Sequence, residues 1–187
     1  VADPDDVRRV FGFVEERFGG TDILVNNAGV SGNGPTLEVS DAEWKRAMSI
    51  DVDGVFYCSR EAGRSMVRRG SGVIVNIGSI YSIVAAPNRA SYCTSKAGVA
   101  MLTRSLAVEW ASSGVRVNCI APGYADTALL QALAAEGKID LAALIKRTPS
   151  GKLTQPEDVA EVVGFLCDPR SKHITGQVLA VDGGWSA

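Results

Sequence analysis

The sequence predicts an α/β protein in which helices cover both faces of a parallel sheet. Four short runs rich in β-branched residues alternate with longer stretches of helical periodicity, the order that produces parallel strands. The runs show little alternation between apolar and polar positions, as expected of strands buried on both faces. They comprise Ile23–Val25, Val73–Val75, Val115–Ile120 and Val178–Val181. The chain has 187 residues, 46% of them hydrophobic, which suffices for one sizeable core and predicts a single domain over residues 1–187.

The first two predicted helices carry clear start signals. Asp3 and Pro4 supply a capping residue and a proline in the first turn, and apolar residues then recur at helical spacing up to a Gly-Gly pair. Further along, Ser40 and Glu43 have the spacing of a capping box. We therefore expect an amphipathic helix docked through one face before the first strand, and a long helix that continues to about Arg69.

The C-terminal part of the chain contains further helical patterns. Residues 124–151 have apolar clusters at Ala128–Leu130 and Leu141–Ile145 and are predicted to form a helical flap. Thr154–Glu157 carries the start signal of another helix, which is expected to end near Cys167. The sequence shows no repeats, low-complexity tracts or linker.

Charge and hydropathy argue against two classes of partner. The formal net charge of -2 provides no electrostatic footprint for nucleic acid or for an anionic membrane. No stretch approaches about 18 uninterrupted apolar residues, and no basic and apolar leader opens the chain. We therefore expect neither a nucleic-acid partner nor a membrane partner.

The cysteines and the single histidine form no metal-binding or disulfide pattern. Cys58, Cys93, Cys119 and Cys167 are widely spaced, which is typical of reduced thiols rather than of a disulfide framework or a zinc site. His173 has no potential metal ligands close to it in the sequence. These features predict a cytoplasmic protein without a bound metal ion.

A possible proton-transfer site is formed by Ser79, Tyr92 and Lys96. Tyr92 and Lys96 are four residues apart, so in a helix they lie on one face, one turn from each other. A nearby cation favours the phenolate and lowers the pKa of a tyrosine from its ordinary value of about 10. Tyr92 is then the candidate general acid/base and Lys96 tunes it. Ser79 follows an apolar run and could donate to an oxygen that gains negative charge.

Other motifs accompany these three residues in a characteristic order. They are Asp22–Gly29, Arg116–Gly123, Thr127 and Thr175–Gly184. Together with Ser79, Tyr92 and Lys96 they resemble the motifs of the short-chain dehydrogenase/reductase family. The resemblance implies a Rossmann-like, doubly wound parallel sheet and an oxidoreductase that uses NAD or NADP on a small-molecule alcohol/carbonyl pair. It also implies a homo-oligomer, either a dimer or a tetramer, and a flap that closes over the substrate.

The same resemblance implies a set of cofactor contacts. They are Asn26, Ala28, Gly29, Tyr92, Lys96, Pro122, Gly123 and Thr127. The first three follow a strand, where open α/β sheets bind ligands, and would face the ribose and adenine side of the cofactor. Pro122 and Gly123 would lie against the nicotinamide, the Thr127 hydroxyl would bond its carboxamide, and Lys96 would bond the ribose hydroxyls. Taken alone, these positions are also compatible with a tight turn and an ordinary helix cap.

One motif of the family is not in the sequence. In the family, a Gly-rich turn places backbone N–H groups and a helix N-terminus against the cofactor pyrophosphate, but no strand is predicted before residue 22. Two βα units of about 30 residues each would normally precede Val1. We therefore interpret the sequence as an N-terminally truncated domain. Its first strand, Ile23–Val25, is expected to be an unpaired edge that favours self-association.

Asp51 departs from the family pattern, which usually has asparagine at this position in support of a water relay to the lysine. If the Asp51 carboxylate is ionised close to Lys96, it cancels part of the effect of that cation on Tyr92 and leaves the tyrosine a weaker acid. Alternatively, Asp51 only bonds the backbone locally. The sequence leaves both interpretations open.

The sequence therefore predicts hydride transfer between NAD(P) and a secondary alcohol or ketone, with catalysis by Ser79, Tyr92, Lys96 and Asp51. Polar residues near the reactive tyrosine suggest a sugar- or polyol-like substrate; they are Tyr81, Ser82, Asn88 and Arg89. Two alternatives remain. An epimerase or lyase that retains NAD would give net isomerisation without net cofactor reduction, and a non-catalytic fragment or scaffold would explain the missing phosphate site.

Overall fold

A computed structural model describes residues 1–187, and its four strands form one parallel sheet in the order β1-β2-β3-β4. The strands are β1 (Ile23–Asn26), β2 (Gly72–Ile77), β3 (Val115–Pro122) and β4 (Val178–Val181). In the register, Val25 lies opposite Val75, and Val75 lies opposite Asn118. The predicted strands and their parallel order are confirmed. All of their carboxyl ends therefore lie at one edge of the sheet, where ligands bind in open α/β folds.

Seven α-helices connect and flank the strands. They are α1 (Pro4–Phe18), α2 (Asp41–Met48), α3 (Gly54–Arg69), α4 (Ala90–Trp110), α5 (Ala128–Ala135), α6 (Leu141–Arg147) and α7 (Pro156–Cys167). The helices α5 and α6 lie in residues 124–151, the segment predicted to be a helical flap, and a β-bridge between Ala125 and Thr154 ties it to the segment before α7. None of these helices has the length and apolar character needed to cross a bilayer.

The core lies on both faces of the sheet. On one face, Ile74 and Val117 pack with side chains of α3 and α4, and with Phe11 of α1. On the other face, Val75 and Ile120 pack against Leu166 of α7. Adjacent residues of a strand point to opposite faces, so each central strand feeds two separate clusters. This arrangement explains why the sequences of β2 and β3 show so little polar alternation.

The long helix predicted from Ser40 contains a change of geometry at its centre. The Ser40 side chain forms the predicted capping box with Glu43, and the helical segment ends at Gly70, whose φ is 72°. Between α2 and α3, however, residues Ser49–Asp53 form a five-residue π-helical turn. Such turns frequently occur at functional sites. This one carries Asp51 into the interior, where its side chain is fully buried.

The strand β1 is less covered than the sequence predicted. Its residues Ile23 and Val25 are 50% and 41% exposed, and it pairs only with β2. The expectation of burial on both faces is wrong here, since α7 packs mainly on β2 and β3. The predicted position of this strand at the edge of the sheet is present. On α1, Val10 and Phe18 are also exposed, while Val7 is buried. An apolar surface thus runs along one edge of the sheet.

Candidate active site

A cavity of about 440 Å³ lies at the carboxyl ends of β1, β2 and β3. Its wall comes from residues within 27–33, 77–81 and 122–127, segments that lie at or directly after the ends of these strands. The helix α4 contributes Tyr92 and Lys96, and the flap contributes apolar side chains. The cavity therefore occupies the position at which parallel α/β sheets bind their ligands.

The three predicted catalytic residues converge on this cavity. Ser79 follows β2 and caps a short 3₁₀ turn, where its hydroxyl accepts a hydrogen bond from the Tyr81 N–H at 3.2 Å. Tyr92 and Lys96 lie one turn apart on α4, and the Lys96 ammonium is 5.7 Å from the centroid of the Tyr92 ring. All three side chains line the cavity wall. The predicted proximity of Tyr92 and Lys96 is thus present, with Ser79 facing them from the sheet.

Lys96 is a buried cation with unused donors. Its side chain is 5% exposed, and its Nζ donates one hydrogen bond, to the Ile77 carbonyl at 3.2 Å. Burial lowers the pKa of Lys96, and the negative charge of Asp51 opposes this change. An ammonium carries three donors, so two remain available at the cavity wall. A pair of neighbouring hydroxyls, such as those of a ribose, is a suitable acceptor for them.

Tyr92 has a pKa above the ordinary value of a tyrosine. Burial is the main cause, the neighbouring Ser79 hydroxyl opposes the rise, and the charge of Asp51 adds to it. The sequence analysis expected Lys96 to lower the pKa of Tyr92, and for the protein by itself this direction is wrong. The reason is that the phenol is removed from water, while the cation that should stabilise its anion is itself destabilised by burial.

Asp51 lies behind Lys96 and not on the cavity wall. Its Oδ1 accepts a hydrogen bond from the Val30 N–H at 2.8 Å, and its Oδ2 accepts one from the Ser95 hydroxyl at 3.0 Å. It forms no ion pair with Lys96 within 4.0 Å. Both interpretations of Asp51 therefore hold in part. It bonds the backbone locally, and its charge raises the pKa of Tyr92 and of Lys96.

Two predicted cofactor contacts lie away from the cavity. Asn26 is buried beneath it, where its Nδ2 donates to Ser59 Oγ at 3.0 Å and to Asn76 Oδ1 at 2.8 Å. Neither Asn26 nor Ala28 lines the cavity, whereas Asn27 does. The cause is the alternation of side chains at the end of β1, which turns Asn26 toward the core and Asn27 toward the ligand side.

The remaining predicted contacts lie on the wall. They are Gly29, Pro122, Gly123 and Thr127. A Cβ at Gly29 would lie 3.1 Å from Lys96 Nζ, and one at Gly123 would lie 2.9 Å from the Asp182 Cα. Glycine at these positions lets the backbone come close to its neighbours. The Thr127 hydroxyl caps α5 by accepting the Leu130 N–H at 3.3 Å.

An aromatic group lies on the outer part of the wall, and the sequence analysis named only its Tyr81, as one of the polar residues near the substrate. The hydroxyls of Tyr81 and Tyr124 are 2.8 Å apart, and Tyr124 also packs against Trp185 with ring centroids 5.1 Å apart. Burial and the hydrogen bond to Tyr124 both raise the pKa of Tyr81. The only available sequence signals were that Tyr81 and Arg89 are close to Tyr92 and that Tyr124 follows a strand end.

Comparisons with known proteins identify the family to which this site belongs. A family model described as enoyl-(acyl carrier protein) reductase matches residues 1–186. The chain is 45% identical over 188 residues to the cis-4-hydroxycyclohexanecarboxylate dehydrogenase of Sinomonas cyclohexanicum, an alignment that covers 100% of this chain and 74% of that protein. The chain belongs to the short-chain dehydrogenase/reductase family.

Further relatives extend the match. This short-chain dehydrogenase/reductase is 44% identical over 166 residues to the galactitol 2-dehydrogenase (L-tagatose-forming) of Cereibacter sphaeroides. The alignment covers 88% of this chain and 65% of that protein. A gluconate 5-dehydrogenase from Burkholderia cenocepacia, solved in complex with NADP and tartrate, superposes with a TM-score of 0.93 at 37% identity. That alignment covers 99% of this chain and 72% of the other.

These findings confirm the predicted fold, enzyme class and cofactor. The protein is an NAD(P)-dependent oxidoreductase of alcohol and carbonyl groups with a Rossmann-like parallel sheet. The site residues fit this cofactor, because a buried cation with free donors and close-approach glycines surround one cavity.

Proposed function

We propose that this enzyme interconverts a secondary alcohol and the corresponding ketone, with Tyr92 as the general acid/base. The convergence of Ser79, Tyr92 and Lys96 on one cavity carries this proposal. A hydroxyl donor, a phenol and an ammonium supply the groups needed to hold an alcohol oxygen and to move its proton. The bound NAD(P) supplies the hydride acceptor or donor.

Each side chain has a defined task at the substrate oxygen. The Ser79 hydroxyl donates a hydrogen bond to that oxygen, which stabilises the negative charge that develops on it. The Tyr92 phenol gives its proton to the oxygen during reduction and takes it back during oxidation. Because the pKa of Tyr92 is raised, the phenol is protonated at neutral pH. Reduction is then favoured near neutrality, and oxidation becomes faster as the pH rises.

Other residues would hold the cofactor. Lys96 lines the cavity and donates only one hydrogen bond within the protein, so its two other donors are suited to the ribose hydroxyls. Pro122, Gly123 and the Thr127 hydroxyl surround the region in which the nicotinamide would lie. Asp51 would orient this end of the site by fixing Val30 and Ser95.

The relatives and the cavity together support a small substrate. One relative is named for a hydroxylated cyclohexane ring and another for a polyol, and both names describe secondary alcohols. The flap side chains Leu129, Leu133 and Ile139 line the same cavity as Tyr81. This wall suits a substrate with an apolar ring or short chain and a few polar substituents.

A direct assay tests the proposal. The protein is mixed with NAD or NADP and a panel of cyclic and acyclic secondary alcohols, and formation of the reduced cofactor is followed by absorbance. Turnover that rises with pH and disappears in the Tyr92→Phe variant is the expected result. Net isomerisation of substrate without net cofactor reduction would instead identify an epimerase or lyase, and no turnover of any kind would contradict the proposed reaction and favour the non-catalytic fragment or scaffold.

The proposal extends to assembly and cellular location. The helices α3 and α4 present apolar side chains outward, including Phe56 (39% exposed), Met101 (57%) and Val108 (84%), which supports a homo-oligomer formed through these helices. Light scattering of the purified protein, compared with a Val108→Glu variant, tests the assembly.

The four cysteines are all free, which supports a cytoplasmic location. A single domain over residues 1–187 is part of the same proposal.

A further inference from the structure

We infer that Arg89 is a specificity-determining residue that binds a carboxylate carried by the substrate at the outer end of the cavity. The substrate class is therefore a secondary alcohol, or its ketone, with a carboxylate several bonds from the reacting carbon. The inference rests on the proposed function, since it names the substrate class of the same site.

The position of Arg89 relative to Tyr92 separates it from the cofactor end. Arg89 is the N-cap residue of α4, one turn before Tyr92, whereas Lys96 lies one turn after it. At about 1.5 Å of rise per residue, Arg89 and Lys96 are roughly 10 Å apart along the helix axis, on opposite sides of the phenol. Lys96 points inward, toward the Ile77 carbonyl of β2. Arg89 instead lies beside Tyr81, with its guanidinium carbon 5.5 Å from the ring centroid.

The charge of the cavity wall favours an anion at this end. Arg89 and Lys96 are the only charged side chains on the wall, and no carboxylate lines it. Arg89 forms no ion pair, and its only side-chain hydrogen bond is to the neutral Asn33 amide oxygen. A guanidinium has five N–H donors in a planar fork that matches a carboxylate. Most of these donors are therefore available to a ligand.

The surrounding loops hold Arg89 in place before any ligand arrives. Asn88 has a φ of 60°, in the left-handed region, and its carbonyl accepts a hydrogen bond from the Gly34 N–H at 2.9 Å. This bond and the one between Arg89 and Asn33 join the loop after β1 to the start of α4. Asparagine tolerates the left-handed region, and these two hydrogen bonds restrict the segment that carries Arg89. Less side-chain entropy is then lost when the guanidinium binds an anion.

The opposite wall strengthens the effect of this cation. Leu129, Leu133 and Ile139 line the flap side of the cavity, so an occupant of the cavity displaces water from an apolar surface. Charge-assisted hydrogen bonds are stronger where water is excluded. The combination of one fixed guanidinium and an apolar wall fits an apolar ring or chain that ends in a single carboxylate.

Matched substrates test the inference. The first pair is 4-hydroxycyclohexanecarboxylate and the corresponding carboxamide, which share the ring and the reacting hydroxyl and differ in charge. In the parent protein with NAD(P), kcat/KM for the carboxylate is expected to exceed that for the amide roughly 10- to 100-fold, the range of a hydrogen bond to a charged group. In Arg89→Gln this ratio should fall to near one, and Arg89→Lys should retain part of it.

Arg104→Gln is the matched control, because Arg104 is exposed on the same helix and is not on the cavity wall. It removes the same charge and should leave the ratio unchanged. An equal fall of this ratio in Arg89→Gln and Arg104→Gln would show that Arg89 acts only through long-range electrostatics, and it would overturn the inference. A rise in the KM for NAD(P) in Arg89→Gln, with the substrate ratio unchanged, would assign Arg89 to the cofactor and also overturn it.

A binding measurement separates this inference from the proposed function. Cyclohexanecarboxylate and cyclohexanecarboxamide cannot be oxidised at a hydroxyl, and their affinities for the protein with NAD(P) are measured by calorimetry. Selective loss of carboxylate affinity in Arg89→Gln supports the anion site even if neither alcohol is turned over, in which case only the proposed reaction fails. Equal affinities of the parent protein for both compounds would overturn the role of Arg89, whatever the activity.

Discussion

The inner end of the cavity, at Lys96, and its outer end, at Arg89, are held in different ways. At the inner end, Lys96, Ser95 and Asp51 are buried, and each has a hydrogen-bond partner within the protein. At the outer end, Arg89 is only partly buried and bonds to the exposed Asn33 on a loop. The inner end is fixed by the fold, and changes there alter the chemistry. The outer end depends on two loops and the flap, so it can vary in ligand preference while the proton-transfer residues stay in place.

A network of buried polar side chains lies below the inner end of the cavity and supports it. Asn26 donates to Asn76, Asn76 donates to Thr103, and Thr103 donates to the Val99 carbonyl of α4. No buried side-chain polar atom in the structure is without a partner. Breaking any of these hydrogen bonds would leave a buried polar group unsatisfied, which costs free energy. This series of hydrogen bonds therefore fixes β1, β2 and α4 relative to one another. The outer end is held instead by aromatic packing, including Tyr124 against Trp185 and Arg147 at 4.2 Å from the centroid of that indole ring.

The largest expected effect is at Tyr92. Tyr92→Phe keeps the ring but removes the proton that the reaction needs, so turnover is expected to fall by on the order of 10²–10⁴, the contribution of general acid/base catalysis. Thermal stability should change little, because the phenol lies at the cavity wall. Tyr57→Phe is the control, since Tyr57 lies on α3 outside the cavity. Activity close to the parent value in Tyr92→Phe would exclude Tyr92 as the acid/base.

Lys96 is expected to show the next largest effect. Lys96→Met keeps much of the side-chain volume and removes the buried cation, so both turnover and NAD(P) affinity should fall, with turnover reduced on the order of 10²-fold. The two losses occur together because one ammonium faces both the phenol and the ribose position. Stopped-flow kinetics and cofactor titration by calorimetry measure them separately. A variant that lost turnover but bound NAD(P) as the parent does would remove Lys96 from the cofactor site.

The sequence predicted how the residues of the inner end are arranged, whereas for the outer end it predicted only that polar residues such as Tyr81 and Arg89 lie near the substrate. Tyr92 and Lys96 are related by helical spacing, and Ser79 directly follows a strand, so local rules placed all three correctly. The pKa of Tyr92 could not be predicted in the same way, because burial, which raises it, depends on packing between distant segments. The π-helical turn at Asp51 also left no signal in the apolar pattern.

The contacts at the outer end of the cavity and the exposure of the faces of β1 were not predicted, for a related reason. Arg89, Asn33 and Tyr124 come from three loops that meet only in the folded chain. Asn26 was assigned to the cofactor by family resemblance and by its position at a strand end, whereas its side-chain bonds to Ser59 and Asn76 depend on residues distant in sequence. The exposure of β1 depends on where α7 packs, which strand composition does not encode.

Stability measurements can compare the two ends directly. Thr103→Val removes the hydroxyl that accepts from Asn76 and donates to Val99, leaves a buried amide donor unpaired, and is expected to cost about 1–3 kcal/mol of the free energy of unfolding. Tyr124→Phe breaks the bond to Tyr81 at the cavity, where water can replace it, and is expected to cost less than about 1 kcal/mol. Urea unfolding of both variants gives the comparison. Equal costs would show that the two ends are held equally firmly.

The smallest expected effect is a shift in pH dependence from Asp51→Asn. The charge of Asp51 raises the pKa of Tyr92, so its removal should lower that pKa, increase the fraction of phenolate at a given pH, and move the rise of the oxidation rate toward lower pH. The fold should tolerate the change, since an asparagine can accept from the Val30 N–H through Oδ1 and donate to Ser95 Oγ through Nδ2. Asp53→Asn is the matched control, because Asp53 lies in the same π-helical turn but is exposed. Oxidation rates of the parent and both variants, measured across pH at saturating NAD(P), test whether this rise shifts. If both variants have the profile of the parent, Asp51 acts only as a structural partner of Val30 and Ser95, and the electrostatic coupling between the π-helical turn and the phenol is refuted.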